Sequence, residues 1–164
     1  MKASRVFDYA IWATLGVGVL ALVARKGSGP EEGTVARAID LPLVGKAGRF
    51  RLEDHRGKPV VLEVFASWCG ACRRATPALS DAFREYRDRV TFVGVSVDES
   101  AEEALAAKES WGVPFDVALD DGSLSRDYEV TRYPTLVVIG SDGVVEHVSS
   151  GAPSRSDIER WLSD

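Results

Sequence analysis

The chain of 164 residues has only two cysteines and two histidines. Because Cys69 and Cys72 form one C-x-x-C motif, no cysteine is left for a structural disulfide elsewhere, which excludes a secreted scaffold stapled by several disulfides. A zinc site would need His55 and His147 as well, but these lie far apart in the sequence and lack the usual H-x₃₋₅-H spacing. We therefore expect no metal and no cofactor.

The chain also lacks an excess of positive charge. Its 20 lysines and arginines are outnumbered by 25 acidic residues, which gives a net charge of -5. The basic residues are scattered and do not alternate with aromatic ones, so we expect no nucleic-acid partner. The hydrophobic content of 45% and the charged content of 27% are ordinary for a soluble globular domain. The length suffices for one domain with a core and an appendage.

One uncharged hydrophobic run, residues 10–24, lies near the N-terminus. It is short for a membrane helix, which needs about 20 residues, and long for the core of a signal peptide, roughly 7–15 residues. Arg25 and Lys26 follow directly, which favours an uncleaved anchor over a cleaved signal peptide, the alternative. Residues 1–26 are therefore predicted to be a membrane anchor or signal segment. A short N-terminal tail before one anchor fits a domain on the outer side of the membrane.

A flexible linker and one globular domain are predicted to follow. Residues 27–35 have the glycine, serine, proline and glutamate content of a tether, and the domain is expected over residues 36–164. Near-continuous apolar runs predict core strands over residues 59–66, 89–98 and 135–139. Apolar residues at helical spacing predict helices over residues 70–87, 100–111, 124–128 and 156–162.

Turn signals predict the remaining strands. The turn at residues 45–48 and the alternating segment 50–53 predict a short N-terminal hairpin. Residues 116–119 are predicted to form a short strand, and the Asp-Gly turn at residues 140–143 predicts a second hairpin that returns over residues 144–148. This order of elements predicts an α/β sandwich with a mixed central sheet.

Both cysteines lie where the first core strand gives way to a helix, in the segment Trp68-Cys69-Gly70-Ala71-Cys72. A thiol at a helix N-terminus lies beside unpaired backbone N–H groups and the positive end of the helix dipole. This environment favours the thiolate, which is the nucleophile in disulfide exchange. The motif at this junction therefore predicts a redox site.

Three motifs together resemble those of thioredoxin-fold proteins. They are the W-C-x-x-C segment, Pro77 eight residues after Cys69, and Tyr133-Pro134-Thr135 before the third core strand. The N-terminal hairpin, the inserted helix-strand unit at residues 100–119 and the N-terminal hydrophobic run are similar to those of membrane-tethered TlpA/ResA-type thiol–disulfide oxidoreductases. The resemblance covers residues 36–163. It implies a thioredoxin-like three-layer sandwich with a mixed central sheet, preceded by one N-terminal membrane or signal helix.

The resemblance implies roles for the residues of these motifs. Cys69 would be exposed and attack the substrate, and Cys72, buried one turn further on, would resolve the mixed disulfide. Pro134 matches the family's cis-proline beside the disulfide, where it would expose the backbone of Tyr133 to an extended substrate strand. Trp68 would form an apolar rim over the site, with ordinary packing as the alternative.

The dipeptide Gly70-Ala71 is expected to contact substrate and departs from the commonest versions of the motif. Thioredoxins have Gly-Pro here, and many strong oxidants have a histidine at the second position. Ala71 adds no charge to stabilise a Cys69 thiolate, which favours a reducing role. Arg73 and Arg74 act in the opposite direction because nearby cations favour thiolate.

A second candidate group is Glu63, which interrupts the first core strand six residues before Cys69, where thioredoxin has a buried acid. Burial raises the pKa of a carboxyl group, and such a group can take and return the proton of Cys72. The alternative is a carboxylate at a sheet edge or paired with Lys58. ResA-type proteins often have a glutamate three residues after the second cysteine, where this chain has Ala75.

The resemblance implies a protein-disulfide reductase on the outer face of a bacterial cytoplasmic membrane. Its substrates would be disulfides of exported proteins, usually apocytochrome c in this family, and its electrons would come from a membrane thiol donor. The alternatives are a cleaved periplasmic form, and a thiol oxidase or disulfide isomerase. A metal-delivery protein of the same fold is disfavoured because it would need C-x₃-C and a downstream histidine.

Overall fold

The computed structural model describes residues 30–163. The predicted anchor over residues 1–26, including the hydrophobic run 10–24, lies outside the described residues. Within residues 30–163, no helix is long and apolar enough to cross a membrane.

Within residues 30–163, seven strands form two sheets. The N-terminal hairpin consists of β1 (Asp40–Pro42) and β2 (Arg49–Arg51), and the central sheet consists of β3 (Val60–Phe65), β4 (Thr91–Ser96), β5 (Asp116–Leu119), β6 (Thr135–Ile139) and β7 (Val145–Ser150). The strand order is β5-β4-β3-β6-β7. Strands β3, β4 and β5 are parallel, and β6 is antiparallel to both β3 and β7. Every residue of β3 is buried because this strand lies in the middle of the sheet.

Helical segments cover both faces of the central sheet. They are α1 (Gly70–Tyr86), α2 (Ala101–Trp111), α3 (Ser123–Asp127), α4 (Arg155–Trp161) and a 3-10 helix (Leu52–His55). Buried residues of α1, α2 and α4 share one core with Val61 and Phe65. The N-terminal hairpin and α3 share the other core with Leu62 and Val64. These side chains alternate along β3, as strand geometry requires. The predicted three-layer sandwich with a mixed sheet, an N-terminal hairpin and an inserted α2–β5 unit is therefore confirmed.

The prediction of strand over residues 50–53 is wrong at its end. Strand β1 begins at Asp40, opposite Arg51, so β2 has little partner strand beyond that point. Leu52 makes one last bond, from its N–H to the Ile39 oxygen (3.0 Å), and the chain then curls into the 3-10 helix.

The residues before β1 pair with the edge strand β7. The Gly33 N–H donates to the Val145 oxygen (2.7 Å), and the Val145 N–H donates to the Thr34 oxygen (2.8 Å). Residues 33–35 of the predicted 27–35 linker therefore belong to the folded domain. The reason is physical: these bonds use backbone groups, so a tether-like composition does not prevent them.

Candidate active site

The site lies at one end of the central sheet, which we call the redox end. Strand β3 ends there at Phe65, opposite Ser96 of β4. Thr135, the first residue of β6, pairs with Val64 on one side and with Ser150 of β7 on the other. The loop after β3 therefore brings the C-x-x-C motif to the segment that precedes β6.

The two cysteines form a disulfide at the start of α1, with 2.13 Å between their sulfur atoms. Cys69 is the N-cap residue, and its Sγ accepts a hydrogen bond from the Cys72 N–H at 3.1 Å. After reduction the same N–H group can donate to a Cys69 thiolate, and the helix dipole stabilises negative charge at this position. The local geometry therefore favours ionisation of Cys69.

The prediction that Cys69 is exposed is wrong, whereas the burial of Cys72 is confirmed. Cys69 is only 7% exposed and Cys72 is 0% exposed. Both belong to the core beneath α1, and the partly buried Tyr133 packs against that core. The core that buries Cys69 includes residues distant in the sequence, such as Leu136 and Ile158, so local sequence does not reveal this burial.

The other residues predicted to bind substrate surround the disulfide. Trp68 is 71% exposed, which contradicts ordinary core packing. Its ring lies edge-on to that of Tyr133, with 5.7 Å between the centroids. The Tyr133–Pro134 peptide bond is cis, as predicted. Gly70 is exposed and Ala71 is half-buried.

Glu63 lies in the middle of β3, between Gly94 of β4 and Leu136 of β6. Its position in the alternation places it on the face of Val61 and Phe65, whose core includes both cysteines. The side chain is 5% exposed, and Oε1 has no hydrogen-bond partner among the described residues. Burial raises the pKa of this carboxyl group to about 8.

The alternative explanations for Glu63 do not hold. Strand β3 is central, so the residue is not at a sheet edge. Lys58 directs its Nζ to the Arg87 oxygen (3.1 Å) at the protein surface. Glu63 is therefore a buried acid beneath the redox end.

Sequence reasoning missed Asp98, which holds the loop before the cysteines. Its carboxylate accepts hydrogen bonds from the Ser67 N–H (3.0 Å), the Ser67 hydroxyl (2.8 Å) and the Ser96 hydroxyl (2.6 Å). Asp98 is almost fully buried. An acid directly after a buried strand that neighbours β3 was the available signal, because parallel strands end at the same edge of the sheet.

No group of three or more histidine, cysteine or acidic residues within residues 30–163 is arranged to hold a metal ion. A disulfide at a helix N-terminus, beside a cis-proline and above a buried acid on this sandwich, defines a thioredoxin-fold disulfide-exchange protein.

Comparison with known proteins agrees with this class. The profile of the AhpC/TSA family matches residues 33–148. The chain is 29% identical to the thioredoxin-like protein YneN of Bacillus subtilis over 143 residues, 85% of this chain and 83% of the relative. It is 30% identical to the thiol-disulfide oxidoreductase ResA of Geobacillus kaustophilus over 119 residues, 71% of this chain and 68% of the relative.

A solved structure shows the same fold. A Chlorobium tepidum protein, provisionally described as the thiol:disulfide interchange protein DsbE, superposes with a TM-score of 0.75 and 29% identity over 81% of this chain and 96% of that one. The chain thus belongs to the AhpC/TSA family and is a thiol–disulfide oxidoreductase of the ResA type.

Proposed function

We propose that this chain reduces disulfides of exported proteins at the outer face of the bacterial cytoplasmic membrane, with apocytochrome c as the client class. Residues 10–24 would anchor it, and a membrane thiol donor would return its electrons. The observation that carries the proposal is the Cys72 N–H directed at Cys69 Sγ at the start of α1. It gives the first cysteine the environment of an attacking thiolate.

The proposed reaction has two exchange steps. The Cys69 thiolate attacks one sulfur of the substrate disulfide, which breaks that bond, forms a mixed disulfide and releases one substrate thiolate. The Cys72 thiolate then attacks the Cys69 sulfur, which releases the second substrate thiolate and leaves the Cys69–Cys72 disulfide. A dithiol of the membrane donor reduces this disulfide with two electrons and two protons and becomes a disulfide itself.

Glu63 is proposed to exchange the proton of Cys72. Burial raises its pKa to about 8, so near neutral pH it holds a proton that it can exchange with a neighbouring group. The support is its position on the face that shares a core with Cys72. Asp98 is already saturated by hydrogen bonds from Ser67 and Ser96, so it is the weaker candidate.

Substrate is proposed to bind on the exposed surface around the disulfide. Trp68 offers an apolar face that water covers in the free protein, and burial of aromatic area is a strong source of affinity. The cis bond to Pro134 would expose the backbone of Tyr133 to an extended substrate segment, and Gly70 and Ala71 would allow its close approach.

The reduction potential of the Cys69/Cys72 pair tests the direction of electron flow. A reductase should have a value near that of thioredoxin, about −270 mV, whereas a value near −120 mV would identify an oxidant. Insulin reduction and refolding of a scrambled substrate should be measured alongside. Exposed Arg73 and Arg74 near the motif are the feature that favours the second candidate, a thiol oxidase or disulfide isomerase.

Trapping tests the assignment of the two sulfurs. Cys72→Ala should accumulate mixed disulfides with its substrates because Cys69 can attack but nothing resolves the product. Cys69→Ala is the matched control and should accumulate few, since Cys72 is fully buried. Equal trapping by both variants would contradict the assigned order of attack, and the captured proteins would identify the client.

A further inference from the structure

The segment Pro30–Ala36, which we call the strap, runs antiparallel along β7. The Ala36 N–H donates to the Gly143 oxygen (2.9 Å), and the Gly33 N–H donates to the Val145 oxygen. The Glu32 carboxylate accepts from the Val148 N–H at 3.1 Å. From Ala36 back to Glu32, the partner thus moves from Gly143, in the turn before β7, to Val145 at the start of β7 and then to Val148.

Side chains reinforce the position of the strap. Glu32 Oε1 lies 2.9 Å from Nδ1 of His147, and the His147 ring lies 4.3 Å from that of Trp161 in α4. An ion pair this exposed adds little by itself, so the backbone bonds are the main attachment. Together these contacts fix the direction in which the strap crosses the domain.

The strap leads to the redox end. Ser150, at the end of β7, pairs with Thr135, and the Gly151 N–H donates to the Pro134 oxygen at 2.8 Å. Pro30 and Glu31 line a cavity of about 200 Å³ together with Ser150 and Thr135. The chain therefore enters the domain beside the cis-proline and not at the far end, where the 140–143 turn lies.

This entry point limits how far the disulfide can lie from the membrane. Six peptide steps separate Ala24, the end of the uncharged run, from Pro30, and even fully extended they span only about 20 Å. Strands β3 and β7 are two strand spacings apart, about 10 Å. The far end of β6, at Ile139, lies about 14 Å beyond Thr135, because each of the four residue steps between them adds about 3.4 Å.

We infer that the strap turns the redox end of the domain towards the bilayer, so that the Cys69–Cys72 pair exchanges electrons with a dithiol held in the same membrane. The inference rests on the anchoring part of the proposed function. In this inference the strap orients the site towards the membrane. A flexible tether in its place would let the domain rotate freely. The inference concerns the electron donor of the pair, a dithiol at the membrane surface.

Resonance energy transfer from a dye on the domain to dyes on the lipid headgroups tests this orientation. The full chain, with Cys69→Ser and Cys72→Ser, receives a single donor dye at either Thr131→Cys, exposed near the redox end, or Ser141→Cys, exposed in the far turn. Each form is reconstituted into phospholipid vesicles with acceptor-labelled headgroups. We expect the Thr131 dye to lie nearer to the bilayer than the Ser141 dye, by up to about 14 Å. Equal distances, a reversed order or a chain that does not bind vesicles would overturn the inference.

Release of the strap supplies the matched comparison. Gly33→Pro removes the N–H that bonds to Val145 and cannot adopt the φ of 84° at this position, and Glu32→Ala removes the contacts with Val148 and His147. The double variant should bring the two dye distances together. Glu31→Ala removes a neighbouring exposed carboxylate and should leave the difference intact. An unchanged difference in the double variant would overturn the role of the strap.

A separate readout distinguishes this inference from the reductase proposal. The chain with both cysteines is assayed for insulin reduction in the same vesicles. Loss of reductase activity with the expected dye distances would contradict the reductase and leave the orientation standing. Reductase activity with equal dye distances would support the reductase and overturn the orientation.

Discussion

At the scale of single residues, the buried carboxyl group of Glu63 makes the strongest electrostatic statement. Its pKa rises from the ordinary 4.5 to about 8 because burial penalises the charged form. The folded state therefore holds a proton that the unfolded state releases between these two pH values. Each pKa unit corresponds to about 1.4 kcal/mol, so the total effect is several kcal/mol.

Glu63→Gln should remove this pH dependence. The contribution of Glu63 to the free energy of unfolding should be greatest below pH 4.5, fall as the pH rises towards about 8, and change little above that value. The difference between wild type and variant, measured by urea unfolding across this range, isolates the effect from other titrating groups. A constant difference would show that the carboxyl group is not desolvated.

Asp98→Asn should loosen the loop that precedes the cysteines. An amide replaces one of the two oxygens that accept bonds from Ser67 and Ser96, and its N–H₂ group then faces their donors. We expect a loss of about 1.5–3 kcal/mol in the free energy of unfolding. Asp88→Asn, the same change at an exposed residue, should cost less than about 0.5 kcal/mol. Equal losses in the two variants would show that the Asp98 carboxylate does not stabilise this loop.

The site residues differ in how readily the sequence reveals them. Local spacing suffices for Cys69 and Cys72, because a strand-to-helix junction is written in adjacent residues. Glu63 is recognisable since a charged residue interrupts an apolar run. The Asp98–Ser67 contact joins residues 31 positions apart, and such pairing depends on how two strands are placed side by side.

At the scale of elements, α1 is the helix on which the site depends. Its buried face includes Cys72, Ala75 and Leu79, so the packing that stabilises the helix also positions the second sulfur. Unwinding of its first turn would take the Cys72 N–H away from Cys69 Sγ. Stability of α1 and reactivity of the disulfide are therefore linked.

Leu79→Ala should destabilise the fold by about 2–5 kcal/mol, because the residue is fully buried and its removal leaves a cavity. Denaturant unfolding of the oxidised protein measures this cost. Leu105→Ala, on the partly buried side of α2, should cost less. If the cost at Leu79 does not exceed that at Leu105, the core beneath α1 is less well packed than described.

Strands with continuous apolar runs and helices with apolar residues at helical spacing were predictable from the sequence. Segments that pair only through backbone hydrogen bonds were not. Strands β3, β4 and β6 appear within the predicted ranges because burial on both faces selects apolar residues. The strap pairs with β7 through N–H and C=O groups that every sequence has. The 3-10 helix after β2 likewise depends on where the partner strand begins.

At the scale of the whole molecule, the full chain and the domain alone should go to different fractions when membranes are sedimented. The full chain should sediment with membranes and resist extraction by alkaline carbonate, because residues 10–24 are uncharged and apolar. A version that begins at Pro30 should remain in the supernatant. Recovery of the full chain in the soluble fraction, without cleavage, would contradict the anchor.

The account as a whole depends on the ionisation of Cys69. Iodoacetamide alkylation of reduced Cys72→Ala protein, followed as a function of pH, measures it directly because only the thiolate reacts. The account predicts a midpoint well below that of an ordinary thiol, since the backbone N–H of residue 72 and the dipole of α1 stabilise the anion. A midpoint at or above about 8.5, the value of an ordinary thiol, would contradict it.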